Sequence, residues 1–156
     1  MPNNTGDVSG NYQHVYLVAP QFTLVSNPTP VKNDNGDEAD TTLSFDVKAL
    51  GGEIYFSASS TQFISSTFSG ASTTASSYTM DVTGYTEKKD NDYYRVAENA
   101  TTRVTLSIHL VGDGKYAQFQ INNLKWGTSS KAVTSSTTTY GLDDFKTPSI
   151  YLSAAK

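Results

Sequence analysis

The chain has 156 residues, enough for one domain with an ordinary hydrophobic core, and it contains no cysteine. The missing cysteines exclude disulfides, thiol nucleophiles and zinc–thiolate sites. A formal net charge of −4, with 11 scattered basic residues, argues against nucleic-acid binding, because phosphate neutralisation needs clustered Lys and Arg. Charged residues are only 17% of the chain, so Ser and Thr make its surface polar, a composition typical of secreted and cell-surface β-proteins.

The first ten residues, MPNNTGDVSG, carry neither the basic start nor the apolar run of a signal peptide. We therefore predict a flexible N-terminal arm at residues 1–10 and a single β-sandwich domain at residues 11–156. The apolar runs that follow are of strand length, far below the roughly 18 residues that cross a membrane as a helix. No membrane insertion is expected.

Apolar and polar residues alternate with a period of two along most of the chain, and no segment shows the 3.6-residue period of a helix. In the segment 116–126 the alternation changes phase at Asn122–Asn123, which predicts a β-bulge. The Ser/Thr-rich segments 69–77 and 127–139 are interpreted as long loops or polar edge strands. Turn residues separate the strands, so the sequence predicts an all-β fold, an antiparallel β-sandwich of about seven to ten strands. The predicted strands are 14–19, 21–26, 41–50, 52–59, 61–67, 76–84, 92–98, 103–110, 116–126 and 149–154.

The stretch VKNDNGDEAD at residues 31–40 carries four carboxylates in seven positions. Calcium takes six to eight oxygen ligands and flexible acidic loops supply them, although this spacing does not fit an EF-hand. The same residue types are also expected at a solvated hairpin tip, because Asn, Asp and Gly favour turns. Calcium binding and a plain loop therefore both stay open. The candidate calcium ligands are Asp34, Asn35, Asp37, Glu38 and Asp40.

The segment YRVAENATTRVTLSIHLVGDGKYAQFQI, residues 94–121, resembles the late strands of immunoglobulin-like domains. In that family a Gly-x-Tyr pair precedes the last core strand, and the tyrosine hydroxyl ties the corner to backbone upstream. The resemblance implies that Gly114 and Tyr116 form such a structural corner. The chain departs from the usual Asp-x-Gly-x-Tyr, because Gly112 stands where the Asp would be.

The wider layout of FTLVSNP, LSFDVKALGGEIYF, YRVAEN and FKTPSIYL resembles Ser/Thr-rich immunoglobulin-like modules in surface proteins of environmental bacteria, including candidate-phylum lineages. This resemblance covers nearly the whole chain. It implies a cysteine-free immunoglobulin-like β-sandwich module, extracellular or on the cell surface, that is structural and not an enzyme.

Catalytic groups are few in the sequence. Its two histidines, His14 and His109, lie on predicted strands, and the carboxylates Asp46 and Glu53 alternate outward instead of meeting in a cleft. No nucleophile elbow or phosphate-binding loop is found. The chain is therefore predicted not to be an enzyme and to need no cofactor, calcium excepted.

Ten tyrosines and Trp126 suggest an alternative function, because sugar-binding modules stack pyranose rings on exposed aromatic side chains. Aromatic residues are also common in strands for cross-strand packing alone. A structural module would leave its tyrosines scattered, whereas a sugar-binding module would cluster about three on one face. The tyrosines placed outward by alternation are Tyr12, Tyr16, Tyr55, Tyr93, Tyr140 and Tyr151.

The leading hypothesis is a non-catalytic extracellular structural or adhesion module of a bacterial surface protein, layer or filament. Its expected partners are other surface-protein modules or copies of itself, through the terminal strands at residues 12–26 or 148–153, since such strands pair with open sheet edges. The alternative is a carbohydrate-binding module that uses the exposed tyrosines, with a glycan as partner.

Overall fold

A computed structural model describes residues 17–89 and 92–155 of the chain. The predicted arm at residues 1–10, and with it Tyr12, His14 and Tyr16, lies outside these described residues. The elements found within them are β1 (Ala19–Ser26), β2 (Val31–Lys32), β3 (Glu38–Leu50), β4 (Ile54–Ser57), α1 (Ser60–Phe63), β5 (Ile64–Ser69), β6 (Ser77–Thr83), β7 (Glu87–Lys89), β8 (Tyr93–Val96), β9 (Thr101–Val111), β10 (Lys115–Trp126), β11 (Ser136–Thr138) and β12 (Ile150–Leu152).

The first layer is an antiparallel sheet with the strand order β1-β3-β9-β6, and β2 extends it by pairing with the start of β3. Its centre is the β3–β9 pair, which keeps one register from Glu38 opposite Val111 to Lys48 opposite Thr101. Along both strands the residues alternate between buried and partly or fully exposed, so one face of the sheet covers the core.

The second layer is centred on β10, which pairs with β5 along one edge and with β11 and β12 along the other. A separate three-stranded sheet, β4-β8-β7, continues this layer. The two sheets meet where Tyr55 and Gly127 exchange backbone hydrogen bonds of 2.8 Å in both directions.

Aromatic rings fill the space between the layers. The Phe45 ring of β3 lies 5.5 Å from that of Phe145, and the Phe119 ring of β10 lies 5.2 Å from that of Tyr78 on β6. These residues belong to one continuous cluster of buried or partly buried side chains that draws on both layers, so the described residues share one core. The chain is therefore an all-β sandwich built from antiparallel sheets.

The predicted fold class and the bulge are confirmed. Asn122 has no partner in the ladder between β10 and β5, and the register resumes at Asn123, so Leu124 and Trp126 turn into the core as the phase change predicts.

Several predicted boundaries are wrong. The described residues form twelve strands instead of seven to ten, because the short strands β2, β7 and β11 fall in segments with turn-like or Ser/Thr-rich composition. The predicted strand 61–67 begins inside the single turn of α1. The two strands predicted at 14–19 and 21–26 are represented in the described residues by β1 alone, which runs through Pro20.

Candidate functional site

The acidic segment is the tip of the β2–β3 hairpin, and a neutral side chain organises it. The Asn33 amide nitrogen donates hydrogen bonds to Asp37 Oδ1 at 2.8 Å and to Glu38 Oε2 at 3.2 Å. Its amide oxygen accepts from the backbone N–H groups of Gly36 at 2.8 Å and Glu38 at 3.3 Å. An Asn that bonds backbone a few residues ahead is a common turn device.

The candidate calcium ligands do not converge on one point. Asp34 and Asn35 are exposed, Asp37 and Glu38 are half-buried against Asn33, and the Asp40 carboxylate lies beside His109. Within the described residues, no three or more His, Asp or Glu side chains are grouped so that they could hold a metal ion. The Asn33 amide gives Asp37 and Glu38 one hydrogen bond each.

Asp40 leads from the hairpin into a groove of about 610 Å³ on the outer face of the first sheet. Across β3, β9 and β6 the register aligns Asp40, His109 and Ser77 in one row, and Asp40 Oδ1 lies 2.8 Å from His109 Nδ1. A second row, made of hydroxyl side chains, lies two residues further along each of the three strands. Pro28, Thr29 and Val31 border the groove. The second row contains Thr42, Ser107 and Thr79.

The row of acid, histidine and serine lacks the surroundings that activate a nucleophile. The Asp40 side chain is 79% exposed and that of His109 is 37% exposed, so water solvates both groups. Among the described residues, no hydrogen bond joins the Ser77 hydroxyl to the imidazole, a contact that this chemistry requires. The groove can hydrogen-bond a ligand, but its geometry does not assemble a catalytic triad.

The carboxylates expected to point outward do so, and both are paired. Asp46 on β3 forms an ion pair with Arg103 of β9. Glu53 lies 2.8 Å from Arg95 and accepts a 2.7 Å hydrogen bond from the Tyr55 hydroxyl.

The Tyr55 hydroxyl and Glu53 shift each other's proton affinity. The hydrogen bond to Glu53 raises the pKa of Tyr55 to about 12, because the carboxylate stabilises the protonated phenol. The same bond, followed by that from Arg95, lowers the pKa of Glu53. This group forms a linked polar surface on the β4-β8-β7 sheet and is not a cleft.

The candidate tyrosines are distributed over several surfaces. Tyr55 and Tyr93 contact each other edge to face, with ring centroids 5.4 Å apart, and Tyr93 is buried. Tyr140 is 74% exposed in the segment after β11, and Tyr151 is 47% exposed on β12. Of the six candidates, the described residues include only Tyr55, Tyr93, Tyr140 and Tyr151, and these four do not gather three exposed rings on one face.

The two residues of the implied corner, Gly114 and Tyr116, lie at the turn into β10. Gly114 has a φ of 69° there. The Tyr116 side chain, however, is 69% exposed and packs edge to face on Tyr151, with ring centroids 5.5 Å apart. Because Ala117 faces the core, Tyr116 faces outward. The structural corner that the resemblance implies stays a prediction.

The sequence did not identify three of these features, namely the organising role of Asn33, the Asp40–His109 groove and the Tyr116–Tyr151 pair. Each depends on which strands become neighbours. Comparisons of the chain with protein-family models, with curated proteins and with solved structures find no match. The helices among the described residues are too short to cross a membrane.

Proposed function

We propose that this chain is a non-catalytic, immunoglobulin-like structural module of a bacterial surface protein, layer or filament, outside the cell, and that it carries load along its long axis. The observation that carries the proposal is where the described chain enters and leaves the sandwich. β1 begins with Ala19 opposite Leu50, at one end of β3. The chain leaves at the other end of β3, where the Ser153 N–H donates to the Gly36 carbonyl at 2.9 Å.

The two ends are separated by the full length of the sandwich. β3 has 13 residues, which at about 3.4 Å per residue corresponds to roughly 40 Å. A chain that enters at one end and leaves at the other can be joined in series with other modules without folding back. This arrangement suits a spacer or filament subunit.

A pull between the two ends loads the terminal strands along their own axes. β1 runs antiparallel to β3 from Ala19 opposite Leu50 to Ser26 opposite Ser44, and β12 pairs with the start of β10. Hydrogen bonds in an antiparallel ladder are perpendicular to the strands, so such a pull strains several of them together. Peeling a strand from its end would instead break them one at a time.

Single-molecule pulling tests this proposal. The chain has no cysteine, so introduced pairs define the points of attachment. Leu17→Cys with Ala154→Cys applies force along the sandwich, and Asp113→Cys with Ala154→Cys peels β12 from β10 as a matched control. All three positions are exposed.

We expect the first rupture of the end-to-end pair to need several times the force of the peeling pair, because unfolding under force depends on the barrier in the pulled direction. Equal forces, or a weaker end-to-end pair, would refute the load-bearing role.

A further inference from the structure

A second surface points to a ligand, independently of the load-bearing role. On the outer face of the second layer, Tyr116 of β10 pairs directly with Tyr151 of β12. Both rings stand in solvent, 69% and 47% exposed, while Ala117 and Leu152 beside them are fully buried. Cross-strand aromatic pairs stabilise a sheet by themselves, and this pair in addition leaves the surfaces of two rings open to solvent, where a ligand can stack.

A row of uncharged polar side chains continues from these rings along β10. Gln118 lies opposite Ser69 of β5, and Gln120 lies opposite Thr67, and paired residues of a ladder share a face. Asn122 at the bulge donates a 2.6 Å hydrogen bond to the Thr67 hydroxyl and so joins the row. From the tyrosines to the bulge the row is about 20 Å long, at roughly 3.4 Å per residue.

Neighbouring contacts hold this row in place. The Gln118 amide nitrogen donates to the Thr147 carbonyl at 2.8 Å, which leaves its amide oxygen as an acceptor. Gly70 follows β5 directly beside Tyr116, where an added Cβ would lie 2.0 Å from the Tyr116 carbonyl oxygen. Glycine at position 70 therefore lets the chain pass close to the backbone that carries the exposed ring.

The chemistry of the surface matches a neutral sugar chain. The C–H groups of a pyranose pack on the electron-rich face of an aromatic ring, and amides and hydroxyls both donate to and accept from sugar hydroxyls. Each member of the row is uncharged. Lys146, which lies opposite Gln120 in a β-bridge and so shares its face, places one cation beside the row.

The angle between the rings also limits what can bind. Tyr116 and Tyr151 meet at 68°, so together they form a corner and not a flat platform. A corner receives one sugar ring, stacked on one tyrosine and touched by the edge of the other. A single soluble polysaccharide chain fits this shape, whereas binding to the flat surface of a crystalline polysaccharide needs coplanar aromatic rings.

We propose that Tyr116, Tyr151 and the amide row of Gln118, Gln120 and Asn122 bind a single chain of a neutral polysaccharide. One sugar ring occupies the tyrosine corner, and the following units lie along β10 towards the bulge. This site, the tyrosine–amide surface, lies on the opposite layer from the Asp40–His109 groove. It makes the module an adhesive one without altering how it carries load.

Calorimetric titration tests the proposal with four soluble neutral probes, cellopentaose, chitopentaose, xylopentaose and laminaripentaose. At least one should bind wild type, and Tyr116→Ala and Tyr151→Ala should each weaken it roughly tenfold, since each removes one stacking surface. Tyr116→Phe should keep most of the affinity because the ring remains. Tyr140→Ala is the matched control, because Tyr140 is 74% exposed elsewhere on the molecule.

Backbone amide NMR spectra recorded during the titration should shift along β10 and β5 and leave the groove on the first sheet unchanged. Failure of all four probes to bind wild type would overturn the proposal. So would binding that Tyr116→Ala and Tyr140→Ala affect equally. Binding that disappears with salt and is confined to a polyanion such as heparin would also overturn the proposal, because the surface would then recognise its ligand by charge.

Discussion

Replacing Gly112 with alanine should loosen the end of the sandwich where the chain leaves. Gly112 lies between the hairpin tip and the C-terminal segment, and its N–H donates to the Asp37 carbonyl at 2.6 Å. An added Cβ would lie 1.9 Å from the Ser153 carbonyl oxygen and 2.8 Å from Leu152 Cβ. Ordinary contact begins at 3.4 Å, so the Ser153 oxygen would have to move by about 1.5 Å.

The cost follows from what that movement breaks. Two hydrogen bonds hold this segment, from Ser153 N–H to the Gly36 carbonyl and from Ala155 N–H to the Gly112 carbonyl, and each contributes about 1 kcal/mol. Leu152 is fully buried, and partial exposure of its side chain adds roughly 1 kcal/mol. We therefore expect Gly112→Ala to lower the free energy of unfolding by roughly 2–4 kcal/mol.

Urea unfolding measures this loss, with an unchanged m-value showing that the same surface is exposed on unfolding. Gly141→Ala is the matched control. Gly141 has a φ of 71° with no atom near its added Cβ, so it should lose only about 1 kcal/mol for the left-handed backbone. A Gly112→Ala variant as stable as the Gly141→Ala variant would refute the reasoning, because the clash would then be relieved without cost.

Three further predictions concern the polar groups. Tyr55→Phe should destabilise the protein by about 0.5–1 kcal/mol at pH 8, through loss of the bond to Glu53. Folding raises the pKa of Tyr55 from 10.0 to about 12, so the stability that its hydroxyl contributes is complete below pH 10 and is lost as the pH rises towards 12. Urea unfolding should therefore show the stability difference between wild type and Tyr55→Phe shrinking between pH 10 and 12. A difference that stays constant over this range would contradict the hydrogen bond to Glu53. Asn33→Ala should lower stability by roughly 1–2 kcal/mol, because its side chain organises the acidic hairpin tip. Wild type should melt at the same temperature in calcium and in chelator, and a calcium-dependent rise would instead show a cation bound to the folded loop.

The sequence was informative where a pattern is local. The alternation in residues 103–110 predicts a strand with one buried face, and Leu106 and Ile108 are buried as expected. The change of phase at Asn122–Asn123 predicts the bulge because the hydrophobic face of one strand must stay on one side. Neither inference needs the partner strand.

The sequence was uninformative where the outcome depends on distant partners. Arg95 forms an ion pair with Glu53, 42 positions away in the chain, and no short-range sequence pattern predicts that pair. The α1 turn contains only four residues, too few for a helical period, and buried Phe63 followed by buried Ile64 reads like a core strand.

The outward position of the Tyr116 ring could not be predicted from the sequence for a related reason. The spacing from Gly114 to Tyr116 matches the family pattern, but the face on which the ring stands depends on the phase of β10. Ala117 and Phe119 occupy the core face, so residue 116 is forced outward beside Tyr151. The motif predicts the spacing of the two residues, whereas the phase of the strand in its sheet decides which side chains are buried.

The load-bearing role and the tyrosine–amide surface both depend on β12, and substitutions there can separate them. β12 pairs with β10 through backbone groups, so Tyr151→Ala removes a ring and leaves the ladder intact. That variant should lose sugar binding and keep its rupture force. Gly112→Ala displaces the end of β12 itself, so it should lower the rupture force even where Tyr116 and Tyr151 are both present. If each variant changed both properties equally, the two functions could not be assigned to separate features of the strand, and the independence of the surface from the load path would be lost.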